Sequence, residues 1–66
     1  MKAKYFPDTD TLLLTFSESE IVESYDLNED VLLDINIDGH IVNMTVEHAT
    51  KQTNVNEFSY QLAAIA

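Results

Sequence analysis

The dipeptide Asp38-Gly39 stands between two stretches in which apolar and polar residues alternate, and it constrains the fold more than any other feature. Asp-Gly in this setting is typical of a β-hairpin with a two-residue turn. Such a turn fixes the register, and the pairs expected on one face are Ile37 with His40, Ile35 with Val42, Leu33 with Met44 and Val31 with Val46. A slip of one residue would move Asp34 into the core, because side chains alternate along a strand.

Three further apolar stretches precede this hairpin and are separated by turn residues. Residues 2–6, 11–16 and 21–27 have the composition of strands, and Pro7 to Asp10 has that of a turn. The sequence therefore predicts an antiparallel sheet of four to five strands over about residues 2–47, arranged as a meander with the Asp-Gly hairpin at its centre.

The C-terminal residues predict a helix over about 54–65. Asn54 and Glu57 have the spacing of a capping box. Apolar residues then follow at helical spacing, and they are Val55, Phe58, Leu62 and Ile65. The alternation of Phe58, Tyr60 and Leu62 would also suit a strand. A helix this short must dock on its own sheet or on that of a neighbouring chain, and the whole chain, residues 1–66, is predicted to form one α+β domain.

Size and charge limit the partners. The chain has 66 residues, with 12 acidic residues against 3 basic ones, so that its formal net charge is −9. Nucleic acids and anionic membranes are disfavoured, because both attract basic proteins, whereas a basic protein partner is compatible with this charge. There is no cysteine, no stretch of about 20 apolar residues and no secretory signal, which together predict a cytoplasmic protein.

A chain of this length buries only a small core, which favours a homo-oligomer, a dimer or larger. Apolar residues are expected on the second face of the sheet as well, at Leu13, Leu32 and Ile41. Contiguous apolar patches of this kind mark interfaces. The residues predicted to build the core or an interface are Leu33, Ile35, Val42, Met44, Asp38, Gly39, Phe58 and Leu62.

Candidate residues for chemistry are few. Asp8 and Asp10 flank Thr9 in a turn, where two carboxylates are able to bind a metal ion or act as an acid/base pair, and His40 is a third, weak candidate. The stretch from Asp34 to Gly39 resembles half of a calcium loop, but the position that needs a bidentate Glu is Thr45. No catalytic residue, metal site or cofactor is predicted, and the balance lies against an enzyme.

Four motifs in a fixed order resemble those of a known family: Tyr5–Leu12, Glu23-Ser24, Leu33–Val42 and Val46–Thr50. The family is the YuzE-like group of small bacterial and archaeal proteins, a domain-of-unknown-function family, and the resemblance covers about residues 1–51. It implies a cytoplasmic α+β domain without an established activity, and some members have been suggested to act as antitoxin-like partners of small basic toxins. Many relatives have glycine where this chain has Asn43, and no residue role is carried over.

Three hypotheses about function follow. The first is a non-enzymatic protein-interaction module that associates with itself. The second is an antitoxin-like partner of a small basic protein. The third is a metal-dependent or acid/base enzyme that uses Asp8 and Asp10, with His40 supplied by an adjoining subunit.

Overall fold

The computed structural model describes residues 1–64 and contains an antiparallel sheet followed by a short helix. The elements are β1 (Lys2–Phe6), β2 (Thr11–Thr15), β3 (Glu23–Asp26), β4 (Val31–Ile35), β5 (Ile41–Glu47) and α1 (Ala49–Gln52). The five strands form one open sheet, which confirms the predicted α+β class and the antiparallel arrangement.

The strand order is β1-β2-β5-β4-β3, so the prediction of a simple meander is wrong at one point. Strands β3 to β5 do form a meander, but β2 pairs with β5 rather than with β3, which is the order of a Greek key. Residues 16–22 cross the sheet end to make this connection, and Val22 N donates to Ile35 O at 2.9 Å. The apolar run of β2 suits an inner position, whereas the acidic β3 suits an edge.

The central hairpin has a three-residue loop, Ile37 to Gly39, instead of the predicted two-residue turn. Gly39 N donates to Asn36 O, and Asn36 N donates to His40 O. The side chain of Asn36 accepts further hydrogen bonds from the backbone N of Asp38 and of His40, both at 3.0 Å. Gly39 has a left-handed φ of 81°, which completes a common three-residue hairpin. The sequence pattern missed the capping role of Asn36, and Ile37 consequently points to solvent.

A bulge at Val42 restores the predicted register beyond the loop. Ile35 pairs with Ile41, not with Val42, and the register shifts between Asp34 and Ile35. From there on the pairs are the predicted ones, namely Val31 with Val46, Leu32 with Thr45, Leu33 with Met44 and Asp34 with Asn43. The extra loop residue and the extra strand residue thus cancel. The bulge also places Ile41 beside Ile35, so the prediction that Ile41 lies on the face of Leu13 is wrong.

The two faces of the sheet differ in polarity. Cross-strand pairs put one set of side chains on what we call the apolar face: Ala3, Tyr5, Leu12, Leu14, Met44, Val46, Val31, Leu33, Ile35 and Tyr25. The other, polar face includes Lys4, Ser24, Asp34, Asn43 and Thr45, with Leu13 and Leu32 at its centre. Among residues 1–64, Val42 and Ala49 alone are buried apolar residues, so the core is thin.

The predicted helix over residues 54–65 is wrong for the part that the structure describes. Residues 54–64 contain one turn and no helix, and Ile65 lies outside the described residues. Asn54 accepts a side-chain hydrogen bond from Asn56 N and a backbone bond from Glu57 N, at 3.1 and 3.3 Å. These bonds close a local turn and do not start a helix, since side-chain bonds of asparagine compete with helix formation.

Candidate interaction surface

The segment that follows α1 covers only half of the apolar face. Residues 53–58 line a cavity of about 220 Å³ whose sheet side is formed by Ala3, Tyr5, Leu12 and Leu14. All four side chains belong to β1 and β2. The chain continues to the start of β1, where Met1, Phe58 and Tyr60 line a second cavity. The C-terminal segment therefore runs over β1 and β2, from the sheet end that carries α1 to the opposite end.

The half of the apolar face built by β3, β4 and the adjoining side of β5 contributes no residue to either cavity, and its side chains of Leu33, Ile35 and Met44 are half-buried. We call it the open half-face and define it by Tyr25, Leu33, Ile35 and Met44. Tyr25 is 49% exposed on the edge strand. Its hydroxyl donates to Glu23 at 2.8 Å, and this hydrogen bond raises the pKa of Tyr25. A sheet normally buries its apolar face against a second layer, which the described chain provides on one side only.

The total surface reflects this incomplete layering. The accessible area is 5330 Å², about 1,100 Å² more than the size scaling of compact monomers gives for 7.5 kDa. The radius of gyration is 13.2 Å, against roughly 11 Å for a compact chain of 66 residues. This surplus exceeds the roughly 800 Å² that one partner buries in an interface of standard size.

A polar network at the other margin of the apolar face fixes α1 to the sheet. Asp10, in the turn between β1 and β2, accepts hydrogen bonds from the Tyr5 hydroxyl and from the Thr50 hydroxyl, each at 2.7 Å. Its carboxylate also accepts from Thr50 N at 3.2 Å, and its backbone O accepts from Ala49 N. Asp10 therefore caps α1 from a distant part of the chain, in place of the adjacent His48, whose side chain makes no cap.

These hydrogen bonds shift the pKa values of Asp10 and Tyr5 in opposite directions. The bonds from Tyr5 and then from Thr50 favour the carboxylate, so they hold the pKa of Asp10 below its usual value of 3.8. The same bond to the Asp10 carboxylate raises the pKa of Tyr5 above 10.0, because the phenol donates only while it is protonated. Asp10 has a left-handed φ of 54°, a conformation that aspartate tolerates better than most residues.

A second polar group connects α1 to the turn between β3 and β4. His48 Nδ1 lies 2.8 Å from Asp30 Oδ1, and Gln52 Nε2 donates to Asp30 Oδ2 at 3.2 Å. Glu47 N donates to Asp30 O at 2.7 Å. The turns before β2 and before β4 are thereby held by the same short helix, which positions the beginning of the C-terminal segment.

An acidic groove lies beside this group on the sheet. Its volume is about 110 Å³, and four carboxylate residues line it: Asp26, Glu29, Asp30 and Glu47. Val31, Leu32 and Thr45 complete the lining. The groove combines negative charge with apolar side chains, which is suited to the side chain of a lysine or arginine from another protein.

The structure does not bring the predicted chemical candidates together. Asp10 is occupied by the Tyr5 and Thr50 hydrogen bonds, while Asp8 is exposed in the same turn. His40 stands at the far end of β5, about 20 Å away along the strand. Within residues 1–64 there is no group of three or more His, Cys, Asp or Glu residues arranged to hold a metal ion.

The predicted interface residues fall into three places. Leu33, Ile35 and Met44 belong to the open half-face, and Val42 is buried in the bulge beside it. Asp38 and Gly39 lie in the exposed hairpin loop. Phe58 and Leu62 lie on the C-terminal segment with 59% and 83% of their surface exposed, so neither packs fully on its own sheet.

The sequence reasoning missed the joint role of Tyr5, Asp10 and Thr50. Tyr5 and Asp10 lie in one family motif, and Asp10 in a predicted turn, with no link to Thr50. A hydroxyl residue three positions after the last strand, combined with an acidic turn, is the available signal. Nothing in a single sequence states that the two segments meet across the sheet.

An open antiparallel sheet with one half-covered apolar face defines this chain as a small α+β domain. A family model described as "Protein of unknown function (DUF2283)" matches residues 2–49. The match spans all five strands, and the chain belongs to this family. The YuzE-like name is compatible with it. Comparison with curated proteins and with solved structures gave no match. No helix in residues 1–64 is both long and apolar enough to span a membrane.

Proposed function

We propose that this protein is a non-enzymatic self-association module in which a second copy of the chain covers the open half-face. The observation that carries the proposal is the half-covered apolar face, with Tyr25, Leu33 and Met44 in one row across three strands. A second copy would supply the missing second layer, and a two-fold arrangement lets each copy cover the half-face of the other. A cytoplasmic location stays a prediction of the sequence.

Charge gives this proposal a distinctive salt dependence. Each copy carries a net charge of −9, so two copies repel each other at low ionic strength. The open half-face itself consists of apolar side chains, apart from Glu23 at its edge. Added salt screens the repulsion and leaves apolar contact intact. Self-association is therefore expected to strengthen as salt rises.

The mass of the protein in solution at micromolar concentration tests the proposal. Light scattering should give twice the chain mass, and the Tyr25→Lys variant should give the monomer mass, because the interface would then bury a charged lysine side chain. Ile37→Lys is the matched control: Ile37 is 84% exposed in the hairpin loop, outside the open half-face. Circular dichroism establishes that both variants keep the sheet.

Two results would contradict self-association through this surface. One is a monomer mass for the unaltered chain across the micromolar range and at high salt. The other is a Tyr25→Lys variant that remains folded and keeps the dimer mass.

The acidic groove supports a second candidate function, the binding of a small basic protein in the manner of an antitoxin. Four carboxylate residues around one groove attract lysine and arginine side chains, and the overall charge would steer such a partner towards the chain. In contrast with self-association, this binding should weaken as salt rises.

Titration with a lysine-rich peptide distinguishes the two functions. Neutralising the groove with Asp26→Asn and Glu29→Gln should lower the affinity, whereas the same change of charge at Glu18→Gln and Glu20→Gln, outside the groove, should have a smaller effect. If both pairs of substitutions lowered the affinity equally, net charge alone would explain the binding, and the groove would not be the binding site.

The geometry does not favour the acid/base alternative. The carboxylate of Asp10 is held by Tyr5 and Thr50, and its pKa is lowered, which is the opposite of what a general acid needs. His40 would have to come from another chain to reach this turn.

A further inference from the structure

The last described residues form an apolar arm that is largely exposed in its own chain. Phe58, Tyr60 and Leu62 alternate with Ser59 and Gln61, and the three are 59%, 72% and 83% exposed. The segment contains neither helix nor strand. An alternating row of large apolar side chains at this exposure is typical of a segment that binds another surface.

The path of the arm leads away from the open half-face of its own chain. Residues 53–58 lie over β1 and β2, and Phe58 and Tyr60 have reached Met1 at the start of the edge strand. The open half-face lies on the same face of the sheet but beyond β2, towards the edge formed by β3. To reach it in the same chain, the arm would have to turn back, yet the only glycine and the only proline, Gly39 and Pro7, lie far upstream.

The composition of the arm suits contact between two acidic chains. Residues 58–66 contain no charged side chain, whereas the remainder of the chain carries all 12 acidic residues. An uncharged arm is the part of one copy that approaches a second copy with the least repulsion. Residues 59–64 extend over at most about 20 Å, which is enough to cross the four strand spacings of a five-stranded sheet.

We propose that the arm, residues 58–64, lies on the open half-face of a second copy, so that two chains exchange their C-terminal segments. This inference rests on the proposed function and gives it a mechanism: Tyr60 and Leu62 of one chain cover Tyr25, Leu33 and Met44 of the other. The missing part of the second layer is then supplied by the exchanged arms. Each chain would then bury part of its excess accessible surface in the dimer.

Cysteine pairing tests the exchange directly, because the natural chain contains no cysteine. Two full-length variants, Tyr25→Cys and Leu62→Cys, are mixed in equal amounts and oxidised with diamide. The expected product is a disulfide-bonded dimer that contains one chain of each variant, identified by mass. Ile37→Cys mixed with Leu62→Cys is the control and should give much less of the mixed dimer.

The double variant Tyr25→Cys/Leu62→Cys separates exchange from packing within one chain. Exchange predicts disulfide-bonded dimers, whereas a disulfide-bonded monomer would overturn the proposal. Removal of residues 58–66 should weaken self-association roughly tenfold or more, since the apolar contact of the arm is lost.

The remaining outcomes distinguish the exchange of arms from self-association through the half-face. A dimer mass by light scattering without any mixed disulfide would overturn the exchange and leave self-association through the half-face in place. A dimer that persists unchanged after removal of residues 58–66 would do the same. A monomer mass for the natural chain would overturn self-association, and the exchange with it.

Discussion

The two faces of this sheet are stabilised by different interactions, although the same five strands build both. On the polar face, side chains satisfy one another: Asp34 accepts hydrogen bonds from Ser24 at 2.6 Å and from Asn43 at 3.3 Å. On the apolar face, the C-terminal segment lines cavities over the side chains of β1 and β2, and no residue of β3 or β4 contributes to them. The polar face is complete in one chain, and the apolar face is not. The unfinished packing of the apolar face is therefore the feature on which the proposed interaction rests.

The largest expected effect on stability comes from comparing two lysine variants at adjacent positions, one on each face of the sheet. Leu33→Lys puts an ammonium group between Tyr25 and Met44, where the second copy would cover it, and should cost about 3–5 kcal/mol in the associated protein, enough to abolish cooperative unfolding in so small a domain. Leu32→Lys puts it beside Asp26 on the polar face and should cost about 1 kcal/mol. Chemical denaturation measures both. Equal losses would show that the faces do not differ as described.

A smaller effect is expected from Tyr5→Phe, which removes the hydroxyl that the apolar face donates to Asp10. The lowered pKa of Asp10 contributes stability above about pH 3.8 that is lost as the pH falls through the folded value. The raised pKa of Tyr5 contributes stability below 10.0 that is lost as the pH rises through its folded value.

The difference in melting temperature between the natural chain and Tyr5→Phe should therefore be greatest between these limits and shrink on both sides. A series of thermal melts from acid to alkaline pH measures it. Tyr25→Phe serves as the control for the alkaline side, because the pKa of Tyr25 is also raised, but by Glu23. A difference that does not vary with pH would show that the Tyr5–Asp10 bond is absent in solution.

The smallest effect is expected on the polar face. Asp34→Ala removes the hydrogen bonds from Ser24 and Asn43, and since these groups are open to water the loss should be below about 1 kcal/mol. Because the face takes no part in the proposed interface, the mass in solution should not change. A monomer mass for Asp34→Ala would move the interface to the polar face.

The sequence predicted the sheet wherever local chemistry determines it. Alternation and the Asp38-Gly39 signal were enough for the pairing of Leu33 with Met44, although the loop is one residue longer than expected. The prediction of the loop failed because the side chain of Asn36 holds two backbone N–H groups. The error did not spread along the strand, since the bulge at Val42 compensates for it.

Non-local contacts account for what the sequence did not predict. The helix begins at Ala49 because Asp10 caps it from the other end of the chain, whereas the local signal at Asn54 and Glu57 closes only a turn. The pairing of β2 with β5 likewise joins segments that lie far apart in the chain. The sequence predicts excess apolar residues on the other face, at Leu13, Leu32 and Ile41, and a helix over the apolar face; locating the half-covered region required the path of residues 53–58.

The strand order has a consequence for the time at which the protein becomes complete during synthesis. The hairpin of β1 and β2 leaves the ribosome first, but its neighbour in the sheet, β5, is made after β3 and β4. In a nascent chain the inner edge of β2 therefore stays unpaired until β3, β4 and β5 have been made. Pairs so distant in sequence form slowly, and this interval is when the chain depends most on protection from aggregation.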